Sequence, residues 1–202
     1  MFFSFDGLDG VGKTTQLNLF CEWLRSAGRT VACCVDPGTT PLGEAIREIL
    51  LGRKNLSIGL RSEMLLFMAA RAELVEEVIR PALAAGSVVV CDRFLLANVV
   101  YQGYAGGLNV DALWQIGETA TGGVMPNLTF VLDLPPAAAE KRIQRSLDRM
   151  ENRGSDYRSR IRDGYLAEAG LRPGEIVVID AARSIDVIQE DIRRAAARVL
   201  RS

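Results

Sequence analysis

Histidine is absent from this 202-residue chain. Imidazole general-base chemistry and histidine metal sites are therefore excluded. Lysine is nearly absent too: only Lys13, Lys54 and Lys141 occur among 24 basic residues, and the remainder are arginine. With so few lysines, no Asn/Thr-Lys-x-Asp guanine reader can be found, which argues against a regulatory GTPase. Net charge is scarce as well. The formal value of −1 lacks the broad basic excess of a protein that coats nucleic acid. None of the four cysteines (Cys21, Cys33, Cys34, Cys91) forms a C-x-x-C pair, and Cys33, Cys34 and Cys91 lie in apolar, strand-like runs. They read as reduced, buried small hydrophobes of a cytoplasmic protein. No apolar run approaches the ~18 residues of a membrane span. Met1–Phe5 has no basic start and runs into a strand, so no secretory signal is expected.

What is present is an ordinary globular composition, 49% hydrophobic and 6% aromatic, in a length suited to one domain over 1–202. The chain alternates short apolar runs with helical patterns. Strands are expected at 2–6, 30–35, 87–91, 128–134 and 175–179. Helices are expected at 13–27, 41–51, 61–85, 95–104, 110–121, 137–150, 157–169 and 184–200. Five apolar strands, each followed by helix, predict an α/β three-layer sandwich: a central five-stranded parallel sheet with helices on both faces.

Gly7-Leu8-Asp9-Gly10-Val11-Gly12-Lys13-Thr14 fits G-x-x-x-x-G-K-[ST] between the first strand and the first helix. Glycines there let backbone N–H groups curl around phosphate oxygens, and the helix N-terminus adds a favourable dipole. Lys13 would bridge the β- and γ-phosphates of ATP, and the Thr14 hydroxyl would hold Mg²⁺. After the third strand, Asp92 is followed by Arg93. A hydrolytic motor usually places Glu there to polarise water. Asp-Arg instead supplies a metal-ordering carboxylate and an anion clamp, which favours transfer to a second phosphorylated substrate.

The residues further resemble the bacterial thymidylate kinases, a family of P-loop NTPase fold, along nearly the whole chain. The resemblance rests on 7–15 (ending in Thr15), Asp36-Pro37-Gly38, Gly43-Glu44-Ala45-Ile46-Arg47, Phe67-Met68-Ala69-Ala70-Arg71, Asp92-Arg93-Phe94, Tyr101-Gln102-Gly103 and Asp148-Arg149-Met150-Glu151. It implies a cytoplasmic homodimeric enzyme that uses ATP and Mg²⁺ to phosphorylate dTMP, with no nucleic acid or membrane partner. Phe67 and Arg71, one helical turn apart, would stack on the thymine and donate to its edge. Asn98 and Gln102 would lie near the base, and Tyr101 against the sugar, where a 2′-hydroxyl would clash. Arg47 and Arg93 would clamp the acceptor phosphate. Asp9 matches an acidic position near the 3′-hydroxyl or metal-bound water, Asp36 one that orders metal or acceptor, and Arg142 one that stacks on adenine.

The resemblance makes the arginine-rich stretch around 142–156 a LID. Some relatives carry a catalytic arginine in the cradle. Gly10 stands there in this chain, so a LID arginine is expected instead, Arg149 first, with Arg145 and Arg153 in reserve. The family's usual Arg-Glu-Pro-Gly-Gly-Thr reads Val35-Asp36-Pro37-Gly38-Thr39-Thr40 here. That departure touches the acceptor side and leaves open a kinase for another nucleoside monophosphate, a deoxynucleoside kinase or a non-catalytic NTP switch.

Overall fold

A computed structural model describes residues 1–52, 56–143 and 153–200. Its centre is a five-stranded, all-parallel sheet in the order β2-β3-β1-β4-β5. The strands are β1 (Phe2–Asp6), β2 (Val31–Val35), β3 (Val88–Asp92), β4 (Leu128–Asp133) and β5 (Ile176–Asp180). Side chains of β1 alternate between two cores. Phe3 and Phe5 join Phe20, Phe130, Ile188 and Ile192 on one face. Phe2 joins Met68, Leu74, Ile79 and Phe94 on the other. Burial on both faces explains why β1 reads as an unbroken apolar run rather than an alternating one.

The helices are α1 (Lys13–Ser26), α2 (Pro41–Arg47), α3 (Leu60–Leu74), α4 (Arg80–Ala84), α5 (Leu95–Asn98), α6 (Val110–Thr121), α7 (Pro136–Lys141), α8 (Ser155–Leu171) and α9 (Ile185–Leu200). Their boundaries have local causes. Thr40 caps α2 by accepting from the Gly43 N–H at 3.0 Å, with Pro41 in the first turn. Asn109 caps α6 in the same way from Ala112 at 2.8 Å, and left-handed Gly122 ends it.

Three helices expected to be regular contain π-helical turns: Glu48–Gly52, Val75–Ile79 and Val99–Tyr104. The second divides the helix expected over 61–85. Pro81 lacks an N–H and crowds the carbonyl one turn back, and the wider turn just before it accommodates the ring. The third lies at Tyr101 and Gln102, where it sets side-chain direction in the site. The helix expected over 137–150 ends early, at Lys141 with Arg142 as its C-cap, and residues 144–152 lie outside the described ones.

Cys34 and Cys91 are buried as expected, but Cys33 is exposed. β2 is an edge strand, and cover on its Cys33 face is incomplete. The chain crosses from one half of the sheet to the other between β3 and β4. The C-terminal ends of β1, β2 and β3 therefore open onto one crevice, the usual ligand position in an open α/β sheet.

Candidate active site

Residues 7–13 turn from β1 into α1 with φ values of 127°, 86° and 98° at Gly7, Gly10 and Gly12. A side chain is excluded at Gly10 twice over, by this φ and because a Cβ would sit 2.2 Å from the Ala139 carbonyl oxygen. The loop is thus pinned under α7. Lys13 folds back over it, donating from Nζ to the carbonyl oxygens of Leu8 (2.8 Å) and Gly7 (3.2 Å), and lies 3.5 Å from Asp9 Oδ1. Burial, with Arg93 nearby, pushes the Lys13 ammonium below its ordinary range.

Arg93 follows β3 with a left-handed φ of 66°, a conformation uncommon outside glycine that surrounding contacts must hold. Those contacts are visible. Its Nη1 donates to the Gly7 carbonyl (3.0 Å) and the Tyr165 hydroxyl (3.2 Å), and its Nη2 to Asp9 Oδ1 (2.8 Å) and the Tyr101 hydroxyl (3.2 Å). The guanidinium also lies 5.1 Å from the Tyr101 ring centroid. Burial pushes the Asp9 carboxyl up, but the Arg93 and Lys13 charges outweigh it and hold it well below the usual carboxylate range. Burial works against the Arg93 charge, and Asp9 overcomes it, so the guanidinium is held firmly protonated. Asp6, beneath this cluster, accepts from the Tyr165 hydroxyl at 3.2 Å. Burial pushes its carboxyl up to about 6, against the pull of Arg93 and Lys13.

A second cluster surrounds Arg71, which is only 2% exposed. Its Nε donates to Asp36 Oδ2 (2.7 Å), Nη1 to Asn98 Oδ1 (2.9 Å) and Met68 Sδ (3.2 Å), and Nη2 to the Phe94 carbonyl (3.3 Å). The chain of bonds continues from Asn98 to Gln102 (2.7 Å), from Gln102 to Glu63 (2.9 Å), and on to Arg153, which donates to the other Glu63 oxygen. Asp36 is wholly buried, and desolvation raises its pKa against the opposing Arg71 charge. Phe67 is half-buried beside Ile46, Leu50 and Ala70, and Arg47 is tied to the Pro37 carbonyl at 2.8 Å.

One cavity of about 750 Å³ joins these clusters. It is lined from Asp9 to Thr15, by Asp36, Arg47, Phe67, Arg71, Asp92, Arg93, Asn98, Tyr101 and Gln102, and at its far end by Arg142, Arg183, Ile185 and Ile188. Arg142 there donates to the Ala181 carbonyl through both terminal nitrogens at 3.3 Å. Among the described residues the cavity thus gathers every site residue expected from the sequence except Gly7, which lies behind Lys13 and Arg93, and the reserve arginine Arg153. Arg149 and Arg145 lie outside the described residues. Arg153 is described and stacks on Tyr157 with its guanidinium 5.1 Å from the ring centroid.

Among the described residues no cluster of three or more His, Cys, Asp or Glu side chains could hold a metal by itself. Thr14 and Asp92, both lining the cavity, carry hard oxygen donors, a hydroxyl and a carboxylate. They suit Mg²⁺, which keeps several waters and shares its coordination with substrate phosphates.

Sequence reasoning missed Asp6, Tyr165 and Glu63. Signals for two of them existed. Glu63, Phe67 and Arg71 stand at i, i+4 and i+8, one helical face, as do Tyr157, Ile161 and Tyr165. Two further arginines of α8 stay outside the cavity: Arg158 pairs with Glu140 (2.9 Å) and Arg162 with Asp133 (2.7 Å).

The thymidylate kinase family model matches residues 5–192. This chain belongs to the thymidylate kinase family. It is 46% identical over 187 residues to the thymidylate kinase of Rhodopirellula baltica, covering 93% of this chain and 76% of that protein. It is 42% identical over 203 residues to the Thermosipho africanus thymidylate kinase, with both chains fully covered. Among solved structures, the thymidylate kinase of Ehrlichia chaffeensis superposes with a TM-score of 0.80 at 29% identity, covering 97% of this chain and 98% of that one. The fold is accordingly the P-loop NTPase sandwich expected from the sequence.

Proposed function

We propose that this chain is a thymidylate kinase: it transfers the γ-phosphoryl group of ATP to dTMP, giving dTDP and ADP. The observation that carries this reading is the continuity of one cavity from the glycine-rich cradle, past Arg93 and Asp9, to the Arg71–Phe67 floor. Donor and acceptor phosphates can meet only where Lys13 and Arg93 converge.

In this reading the cradle from Gly7 to Thr15 holds the ATP phosphates, and Arg142 lies against adenine. Lys13 moves from its own loop carbonyls to the β/γ oxygens. Thr14 and Asp92 hold Mg²⁺, directly or through water, and the ion supplies charge neutralisation on the phosphates. Arg93 and Arg47 fix the acceptor phosphate in line. Such positioning and electrostatics carry most of phosphoryl transfer, and an acceptor phosphate oxygen is already anionic near neutral pH, so no strong base is needed.

Asp9 presets Arg93 and reaches the sugar side with Tyr101, which packs where a 2′-hydroxyl would project. Phe67 stacks on the base, Arg71 donates to its edge, and Asn98 and Gln102 complete that wall. Asp36 acts through Arg71, whose guanidinium it holds. Arg149 is assigned to the transferring phosphoryl group as part of a LID over 142–156, within one kinase domain. Four free thiols fit work in the reducing cytoplasm. A homodimer is proposed on family grounds and would appear as twice the 22.0 kDa chain mass in light scattering.

The test is ADP release with ATP and Mg²⁺ against dTMP, dUMP, dCMP, dGMP, AMP and thymidine. Turnover confined to dTMP, with weak dUMP and loss on chelation, supports the assignment. Faster turnover on another monophosphate would overturn the pocket while keeping the kinase.

A further inference from the structure

Away from the phosphate site, α1 and β2 bring two thiols together. Cys21 Sγ and Cys33 Sγ lie 3.1 Å apart. A disulfide bond is ~2.05 Å, so roughly 1 Å of approach separates contact from bonding. The two sulfurs differ in environment. Cys21 is buried at 1% exposure, while Cys33 is exposed on the sheet edge. Arg25, one turn beyond Cys21 on α1, points its Nη2 at Cys33 Sγ from 3.4 Å. The other two thiols cannot interfere. Alternation along β2 sends Cys34 to the opposite face of the sheet, into the core that contains Cys91. Oxidation-sensing thiols combine exposure, a stabilised thiolate and a resolving partner, and this pair has all three.

We propose that Cys33 and Cys21 form a peroxide-reactive dithiol, an oxidation site that closes a disulfide between α1 and β2. In the first step the Cys33 thiolate attacks one peroxide oxygen. The O–O bond breaks, hydroxide departs and takes a solvent proton, and Cys33 becomes a sulfenic acid. In the second step the Cys21 sulfur attacks the Cys33 sulfur. The S–O bond breaks, and the hydroxyl leaves as water with the Cys21 proton. Two thiols lose two hydrogens and two electrons, and one peroxide becomes two waters. A thiol reductant reverses the bridge by exchange.

The contact with Cys21, in which either sulfur can donate, and the Arg25 charge bring the Cys33 thiol down to about 6, while the same contact and burial push Cys21 up. The bridge would tie the helix that begins at Lys13 to the strand that ends beside Asp36. The thiol chemistry itself is independent of the kinase assignment.

The test treats the full chain with hydrogen peroxide near stoichiometry and maps the peptides by mass spectrometry. The expected product is a crosslinked peptide pair containing Cys21 and Cys33, a fall in titratable thiols from four to two under denaturing conditions, and full recovery with dithiothreitol. Cys21→Ser should stop at a sulfenic acid that dimedone traps, and Cys33→Ser should resist peroxide. Iodoacetamide labelling of Cys33 should rise through a midpoint near 6 in the native chain, and the midpoint should move towards the ordinary 9.0 in Cys21→Ser. Since the first measurement uses the native chain, no variant has to fold for the proposal to fail. Cys33 left unmodified, driven to sulfinic acid without joining Cys21, or bridged only between molecules would each overturn it.

Discussion

Replacing Arg71 with leucine should expose how the acceptor wall is held together. Asp36 Oδ1 is buried with no hydrogen-bond partner among the described residues, and Oδ2 has the 2.7 Å bond from Arg71 Nε. Without Arg71 the carboxylate is left buried and bare. Removing one member of a buried ion pair costs about 3–5 kcal/mol. Protonation caps the charge penalty. Raising an acid of ordinary pKa 3.8 to the assay pH costs about 1.4 kcal/mol per unit, so the ceiling is about 5 kcal/mol at pH 7.5 and under about 2 kcal/mol at pH 5. The sign follows from burial. The folded pKa lies above the unfolded value, so the folded state holds the proton more tightly, and the penalty shrinks as pH falls.

Urea titrations followed by Trp23 and Trp114 fluorescence at the two pH values measure both losses. Arg71→Leu should lose about 3–5 kcal/mol at pH 7.5 and markedly less at pH 5, and adding Asp36→Asn should restore most of the difference. A loss below about 1 kcal/mol, or one that does not change with pH, would refute the reasoning.

Lys13→Met should lower dTMP-dependent ADP release by about 10²–10³-fold with little change in the urea midpoint, since its closest partners are loop carbonyls and Arg93 still pairs with Asp9; a loss under about tenfold would count against it. Gly10→Ala and Gly12→Ala should diverge. The first combines a left-handed φ with a 2.2 Å clash on Ala139 and should cost about 2–5 kcal/mol, whereas the second meets no atom within 4 Å and should cost about 1–2 kcal/mol for φ alone. Equal urea midpoints for the pair would be the wrong result. Asp6, raised from 3.8 to about 6, binds its proton more tightly in the folded state, so its contribution should lower stability by about 2 kcal/mol as pH rises from 4 to 6. Asp6→Asn should therefore gain on the native chain across that window, and a flat difference would contradict the burial argument.

The sheet was legible because each strand is apolar on both faces, and its bounds from sequence fall within a residue or two of the structure. The cradle was legible because its glycines do what no other residue can. The π-helical turns were not, since Val75–Ile79 and Val99–Tyr104 carry ordinary helical residues and widen in response to Pro81 or to tertiary packing. Asp6 escaped because a single polar residue ending an apolar strand looks like a strand terminus. Only the fold shows that Tyr165, 159 residues later, returns to bond it. Residues at long separation were found where a family pattern named them, as with Asp36 and Arg71. They were missed where only packing pairs them, as with Gln102 and Glu63.

The same long-range bonding bears on substrate choice. A guanidinium has five N–H groups. Among the described residues four of Arg71's are engaged, by Asp36, Asn98, Met68 and the Phe94 carbonyl, and one remains on Nη2. The Asp36 bond fixes the plane of the group from β2. The Asn98–Gln102–Glu63 bonds fix it from α5 and α3, so it cannot rotate to suit a different partner. A fixed donor favours a base edge that offers a carbonyl oxygen, as thymine does. Against an amino group at that position the N–H would be left buried and unpaired, at a cost of about 1–3 kcal/mol, or about 5- to 150-fold in relative turnover. Discrimination on this scale requires that Arg71 stay rigid. Gln102→Ala, which cuts the bonds to Asn98 and Glu63 without touching Arg71, should therefore narrow the dTMP-to-dCMP ratio more than it lowers dTMP turnover, and an unchanged ratio would show that Asp36 alone sets the guanidinium.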